Sequence, residues 1–371
     1  MVLTRRAYKA ISRWLPNEII TEIIQATPPS DQASLCRAGK LFHALCLPLL
    51  YRVVDLKTDA SVTAAFCSTI ISNETIAGIV RSFTGFEGPG RLRVDLLRAL
   101  VGLEGLTVNL SELHGEDFKE LLRWTFPNLV QCTLWINHTD WFSTQREDTM
   151  ASFLIRHPRL ENICVEDWCT LVPRPSKSAR IPLLQLQHLR CPVEMVPSIN
   201  ARALKKARIY WESLDEVVER TFVAFKSMTC PDVPFVLSNV GGDNHFKEIV
   251  NSVSRNIPHT KTLQLFLSQL HIIHDDVIRD IEKCLPIFTG LTFLSIEYMS
   301  RHRTSYNPTA PTLHDEEEAR IRVISLAAAC STLEACCLHR YAWRKVAGVW
   351  EKYSLEDFKA LAGISWTDHE I

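Results

Sequence analysis

The sequence predicts an α/β protein in which a small unit of three helices precedes a solenoid of parallel strands. Three observations predict this fold: apolar-striped helical segments in residues 15–54, a strand-like apolar pattern that recurs through residues 57–340, and amphipathic helical segments between its copies. We expect residues 1–14 to form a basic lead-in and residues 341–371, which are rich in aromatic side chains, to cap the last repeat. Regular alternation of helix and strand is typical of repeat proteins, whose neighbouring units bury each other's faces.

The N-terminal unit starts at Leu15-Pro16, because the missing N–H of Pro16 costs nothing in the first turn of a helix. Four isoleucines then recur between positions 19 and 24 with the spacing of one helical face. Pro28-Pro29 ends this helix, and two further apolar-striped segments follow as far as Tyr51. So small a unit cannot bury much apolar surface alone. Some of its apolar side chains are therefore expected to contact another protein.

This unit resembles an F-box. F-boxes commonly begin Leu-Pro-x-Glu-Ile/Leu, as residues 15–19 (LPNEI) do here, and carry two aliphatic residues a turn later. The exit, residues 49–54 (LLYRVV), is similar to that of many F-box proteins with degenerate repeats. The middle departs from the family pattern, because Asp31 is followed by Gln32 rather than leucine and Gly39 lies in the next apolar cluster.

The resemblance implies docking on the Skp-type linker protein of a cullin-RING ubiquitin ligase. Some of the apolar residues must also hold the three helices together, so the division between core and interface is open. The residues expected to bind the linker are Leu15, Pro16, Ile19, Ile23, Leu35, Leu41, Phe42 and Leu50. The alternative is an ordinary helical hairpin that caps a larger fold.

Behind this unit the pattern apolar-x-x-apolar-x-apolar recurs. Its copies begin at Leu103, Leu129, Leu160, Leu186, Leu204, Thr260, Leu291 and Leu333, and a weaker copy contains Phe235 and Leu237. Leucine-rich repeats show this strand signature in units of about 20–29 residues. The spacing here is looser and the usual asparagine ladder is mostly missing, so we predict a degenerate leucine-rich-repeat solenoid. The rival is a doubly wound α/β sheet, but neither GxGxxG nor a P-loop motif is present.

Helical segments are predicted between these strands. They span residues 117–124, 147–156, 214–228, 244–255, 275–285 and 315–329.

Strand alternation predicts a target-binding face, because residues between the buried ones point outward. By resemblance, the repeats of an F-box protein bind the protein to be ubiquitinated. The outward positions are Thr107, Trp135, Glu166, Arg190, Arg208, Tyr210, Phe266, Glu297 and His339. A surface that mixes Trp, Tyr, Phe and Arg has the composition of binding hot spots.

Composition excludes several classes of protein. A net charge of −1 argues against a nucleic-acid partner, and no apolar run approaches the length of a membrane helix. The basic residues 1–14 superficially resemble a transit peptide, but a solvated lead-in helix is preferred. The twelve cysteines contain no CxxC, which favours a reduced protein of the cytoplasm, the nucleus or both over a disulfide framework.

No catalytic, metal or cofactor site is predicted. His271 and His274 could share a helical face as metal ligands, but Asp275 and Asp276 suit a helix start there. No serine or cysteine lies in a motif such as GxSxG. An interaction scaffold without ligase function is the second hypothesis, and a cryptic enzyme is the third.

Two long polar loops, residues 170–182 and 300–314, are either recognition elements at the rim or tolerated insertions.

Overall fold

A computed structural model describes residues 15–56, 60–85, 94–109, 120–136, 145–167, 180–211, 217–241, 246–267, 275–298, 313–338 and 340–364. The fold is mixed α/β and is dominated by parallel β-sheet. The chain divides into two compact units, residues 1–132 and residues 133–371. Within the described ranges no helix has both the length and the apolar character needed to cross a bilayer.

The first unit begins with three short helices: α1 (Asn17–Gln25), α2 (Pro29–Ala38) and α3 (Lys40–Arg52). Their shared core contains Ile20, Ile24, Phe42 and Cys46. Gln32 replaces the expected leucine by a polar contact, since its buried Nε2 donates to the carbonyls of Ile24 at 2.9 Å and Thr27 at 3.0 Å. Ile24 lies in the last turn of α1, and Thr27 lies two residues beyond the end of that helix. Gln32 therefore joins α2 to the end of α1.

The remainder of this unit alternates helix and strand. Its elements are β1 (Val53–Asp55), α4 (Ala60–Ser72), α5 (Glu74–Ala77), β2 (Ser82–Gly85), α6 (Val94–Ala99) and β3 (Gly105–Asn109). The three strands are parallel neighbours in this order, and Val54, Phe83 and Leu106 align across them. All three side chains are buried, so the sheet has an apolar face here. The next strand, β4 (Gln131–Ile136), contains the boundary between the two units.

The second unit continues the alternation. Its elements up to the last parallel strand are α7 (Gln145–Ile155), β5 (Asn162–Asp167), β6 (Ile181–Pro182), β7 (His188–Pro192), β8 (Ile199–Asn200), β9 (Lys206–Trp211), α8 (Val218–Met228), β10 (Phe235–Gly241), α9 (Phe246–Asn256), β11 (Thr260–Leu267), α10 (Asp275–Cys284), β12 (Phe293–Tyr298), α11 (Leu313–Ala329) and β13 (Ala335–Leu338). Short 3₁₀ helices span Val193–Ser198 and Leu285–Ile287.

The strands of this unit align copy by copy. From β7 to β13 through β9, β10, β11 and β12, each strand pairs in parallel with the next. The middle apolar residues of six copies lie in one continuous row: Leu189, Ala207, Leu237, Leu263, Leu294 and Cys336. Every member of this row is fully buried. The predicted copies that begin at Leu186, Leu204, Thr260, Leu291 and Leu333, and the weaker one at Phe235 and Leu237, are therefore confirmed as parallel strands in register.

The C-terminal segment adds two antiparallel strands and a helix after β13. Two antiparallel strands, β14 (Tyr341–Val346) and β15 (Val349–Tyr353), extend the sheet beyond β13. Helix α12 (Leu355–Ala362) then begins at Ser354, whose hydroxyl accepts the N–H of Asp357, and ends at Gly363 with φ of 68°. Its residue Phe358 packs among Phe293, Cys337 and Ala342, on the side of the sheet opposite the apolar row.

Cysteine reactivity offers a direct check on this packing. The described cysteines are all free, and only Cys36 and Cys230 among them are more than marginally accessible. Burial raises the pKa of the Cys132 thiol to about 12, which suppresses the reactive thiolate. With iodoacetamide at pH 8, site-resolved mass spectrometry should find Cys36 and Cys230 labelled at least ten times faster than Cys132 in the native chain. Equal rates at these three sites would contradict the packing.

Candidate protein-binding surfaces

The first surface is an apolar row on the N-terminal helical unit. Leu15, Ile19 and Ile23 lie four residues apart, and their exposed fractions are 38%, 41% and 52%. Ile19 and Ile23 share one face of α1, and Leu15 directly precedes the N-cap residue of that helix, Pro16. The neighbouring residues Ile20 and Ile24 are buried in the core. We call Leu15, Ile19 and Ile23 the apolar row of α1. Large aliphatic side chains exposed in a contiguous patch are typical of a binding surface.

The structure divides the other residues predicted to bind the linker. Pro16 is exposed beside the apolar row of α1. Leu35, Leu41 and Leu50 are half-buried and pack against the core of the unit. Phe42 is buried within that core, so of the two roles left open for these residues it has that of holding the helices together. The cause is geometric: Phe42 is needed to close the small core that Ile20 and Ile24 form on α1.

The second surface lies on the sheet of the second unit, on the side opposite the buried row that contains Leu189, Leu237 and Leu294. We call it the second face. It carries a row of mostly polar residues that align strand by strand: Cys164, Arg190, Arg208, Ser238, Gln264, Ser295 and Cys337. Two residues further along their strands, on the same face, lie Tyr210, Phe266 and Glu297.

Several residues predicted to point outward to a target are not exposed. Glu166, Arg190 and Glu297 are buried, which corrects the expectation of a solvated face. Their charges are retained inside the protein by ion pairs. The half-buried members are Thr107, Trp135, Arg208, Tyr210 and Phe266, and His339 lies outside the described residues.

Glu166, Arg190 and Tyr210 form a buried ionic cluster. The Arg190 Nη2 lies 2.5 Å from Glu166 Oε1, and both side chains are less than 10% exposed. The Arg190 Nε donates to the Tyr210 hydroxyl, and the guanidinium carbon is 5.5 Å from the centre of the Tyr210 ring. Burial acts to lower the pKa of Arg190, but interaction with Tyr210, Cys164 and Glu166 outweighs it and raises that pKa. Arg190 therefore remains charged, with Glu166 as its counter-ion.

Arg208 and Phe266 extend this cluster along the strands. The Arg208 guanidinium carbon lies 5.1 Å from the centre of the Phe266 ring, a cation–π arrangement. Burial lowers the pKa of Arg208, since the charged form is less well solvated there. Burial also raises the pKa of the Tyr210 hydroxyl, which keeps it neutral at physiological pH. Aromatic rings and guanidinium groups thus share one side of the sheet, and tyrosine and arginine are enriched in binding hot spots.

A second polar cluster surrounds Glu297. The Ser238 hydroxyl donates to Gln264 Oε1 at 2.7 Å, and Gln264 Nε2 donates to Glu297 Oε1 at 2.8 Å. The Ser295 hydroxyl donates to the same Glu297 oxygen at 2.7 Å. Lys359 of α12 brings its ammonium to 3.0 Å from Glu297 Oε2. Glu297 is thereby oriented by two side chains, Gln264 and Ser295, and neutralised by Lys359, which is distant in sequence.

Sequence reasoning missed Ser238, Gln264, Ser295 and Lys359. The three strand residues had a usable signal, because polar side chains at alternate positions mark a second functional face. Lys359 had none, since nothing in the sequence places α12 over the sheet.

Paired charges and exposed apolar side chains characterise these surfaces. The carboxylates of Glu166 and Glu297 each form an ion pair, with Arg190 and Lys359 respectively. In the part of the chain that the structure describes, no three His, Cys, Asp or Glu side chains come together as metal ligands. The predicted His271 and His274 pair lies outside the described residues.

No protein-family model matches this sequence, and no curated protein matches it either.

Proposed function

We propose that this chain is the substrate-recognition adaptor of an SCF-type E3 ubiquitin ligase. In this proposal α1 to α3 are an F-box that binds the Skp-type linker protein and, through it, the cullin-RING ligase. The strand–helix array behind them is a degenerate leucine-rich-repeat solenoid that binds the target protein. Such an adaptor works in the cytoplasm, the nucleus or both, and needs no cofactor of its own.

One observation carries the proposal: Leu15, Ile19 and Ile23 expose their side chains on a unit that already has a closed core. Fully burying an aliphatic side chain of this size contributes about 1.5–3 kcal/mol. The three-helix unit forgoes much of that contribution in isolation. A partner that covers the apolar row of α1 would recover this contribution. Residues 15–19 also carry the Leu-Pro-x-Glu-Ile sequence through which this unit resembles an F-box.

The adaptor needs no chemistry of its own. It holds a target beside the ubiquitin-charged enzyme, and tethering of this kind raises the effective concentration of the reacting groups. The Arg, Tyr and Phe side chains on the second face supply chemistry suited to recognising a protein.

Co-purification tests the proposal. The full chain, co-expressed with a Skp-type linker and a cullin, should retain both in a stoichiometric complex. An Ile19→Ser/Ile23→Ser variant should lose both partners. Retention of the linker without the cullin would instead favour an interaction scaffold, and failure of the wild-type chain to retain the linker would refute the adaptor role.

The chain offers a matched control for this variant. Ile321 and Ile324 of α11 are exposed to 60% and 44%, similar to Ile19 and Ile23. An Ile321→Ser/Ile324→Ser variant changes the same residue types on a different helix. It should co-purify with both partners as the wild type does.

A further inference from the structure

Helix α12 lies across the second face of the sheet, where the prediction placed a target-binding surface. The Thr262 hydroxyl donates to the Ala362 carbonyl at 2.8 Å. The rings of Phe293 and Phe358 meet edge to face, with centroids 6.3 Å apart. Phe358 is fully buried in this contact. The C-terminal helix therefore covers a part of the second face to which β10, β11, β12, β13 and β14 contribute, and we call this covered surface the α12 groove.

The groove is built to receive a cation. Glu297 is buried, and the groups that orient its carboxylate, Gln264 and Ser295, belong to the sheet. The neutralising charge comes from outside the sheet, from Lys359 of α12. A buried carboxylate that loses its counter-ion is strongly destabilised. Any other occupant of this groove must therefore bring a lysine or an arginine to the same place.

The groove also selects an aromatic side chain next to that cation. Phe358 and Lys359 are consecutive residues, and together they supply one buried ring and one ion pair. The ring sits among Phe293, Ala335 and Cys337. Residue pairs of this kind are strong recognition elements, because the ring contributes buried area while the charge fixes its register.

Helix α12 has the features of an occupant that can leave. It is eight residues long, too short to be stable as an isolated helix. Leu361 on its outer side is 45% exposed, and the Lys359 side chain is 34% exposed. Along the chain it follows the last strand, β15, through Ser354. Its departure requires no strand of the sheet to move.

We propose that the α12 groove is a binding site for a short helical segment of a partner protein that presents an aromatic residue followed by lysine or arginine, and that α12 is its internal competitor. The groove thus has two alternative occupants. The proposal depends on the proposed adaptor function in one respect: it takes the partner protein to be the target of the ligase. Segments that present aspartate or glutamate at the second position are excluded, because they would face Glu297.

Hydrogen exchange of the wild-type full chain supplies the first test. If α12 leaves the groove while the sheet stays folded, amides of residues 358–362 should exchange at least tenfold faster than those of residues 262–266 in β11. Local opening of this kind is independent of global unfolding. Equal protection of the two segments, in step with global unfolding, would overturn the proposal.

Peptide binding supplies the second test. The probe is a fluorescent peptide of residues 354–364 (SLEDFKALAGI). In a Lys359→Glu chain the internal helix carries the wrong charge, so the peptide should bind at least tenfold more tightly than it does to the wild type. A Lys352→Glu chain is the matched control, because Lys352 forms an ion pair with Glu316 at the surface. It should bind the peptide as weakly as the wild type.

Peptide variants identify the determinants. Peptides with Phe358→Ala or Lys359→Glu should lose binding, and the Lys359→Glu peptide should regain it with a Glu297→Lys chain. Equal binding of the probe to the wild-type, Lys352→Glu and Lys359→Glu chains would overturn the proposal. If the Lys359→Glu chain fails to fold by circular dichroism, hydrogen exchange of the wild type decides. Neither test contains the linker, so they are independent of the adaptor function.

Discussion

Replacing Glu166 by alanine should destabilise the chain by about 3–5 kcal/mol, the range typical of breaking a buried ion pair from one side. The guanidinium of Arg190 stays buried, and the carboxylate 2.5 Å away that neutralises it is removed. Tyr210 remains as a neutral acceptor, which does not replace a negative charge. Urea unfolding followed by circular dichroism measures the change in the free energy of unfolding.

Two control variants separate the destabilisation caused by leaving Arg190 unpaired from the net contribution of the Glu166–Arg190 ion pair to stability. A Glu166→Leu/Arg190→Met variant removes both charges, and replacing a whole buried pair by apolar residues is often neutral. This variant should recover most of the lost stability. A Glu317→Ala variant breaks an exposed pair with Arg320 and should cost less than about 1 kcal/mol. A loss below 1 kcal/mol for Glu166→Ala would mean that the cluster is solvated.

Replacing Phe225 by alanine should have an effect of similar size, about 3–5 kcal/mol, through lost burial and a residual cavity. Phe225 is fully buried on α8 between two other rings. Its centroid lies 6.0 Å from that of Phe222 and 5.8 Å from that of Phe235 on β10. The side chain therefore joins the helix to the strand, and its loss weakens that contact directly. The midpoint of urea unfolding is the measurement.

Val223 provides the control on the same helix. Its side chain is 51% exposed and points away from the ring cluster. A Val223→Ala variant should change the stability by less than about 0.5 kcal/mol, as surface substitutions usually do. If the Val223 and Phe225 variants were equally destabilised, α8 would not pack on the sheet through the Phe225 face.

The repeating part of the fold could be predicted from the sequence because it depends on local periodicity. The segment 244–255 was predicted to be helical, and α9 spans Phe246–Asn256; the segment 275–285 corresponds to α10, Asp275–Cys284. The strands followed from the apolar pattern, since burial on one side imposes a period of two. The strands β1, β2, β6, β8, β14 and β15 were not predicted. β2, for example, has Phe83 at the middle position but Gly85 in place of the last apolar residue.

The candidate surfaces could be predicted only in part, because they depend on what packs against each face. Alternation assigned Glu297 to the second face correctly, but it could not show that α12 covers that face and buries the carboxylate. The same limit applies to α1, where Ile19 and Ile20 belong to one apolar stripe in sequence. Only the position of α3 determines that Ile20 is core and Ile19 is exposed.

The central claim is that the apolar row of α1 binds the Skp-type linker, and a calorimetric titration of the purified full chain with that linker tests it most directly. Truncating anchors of an interface costs about 2–4 kcal/mol each. Ile19→Ser/Ile23→Ser should therefore weaken binding at least about 100-fold without changing the unfolding midpoint, while Ile321→Ser/Ile324→Ser should bind as the wild type does. Binding that survives the Ile19→Ser/Ile23→Ser substitutions, or no binding by the wild-type chain, would contradict the claim.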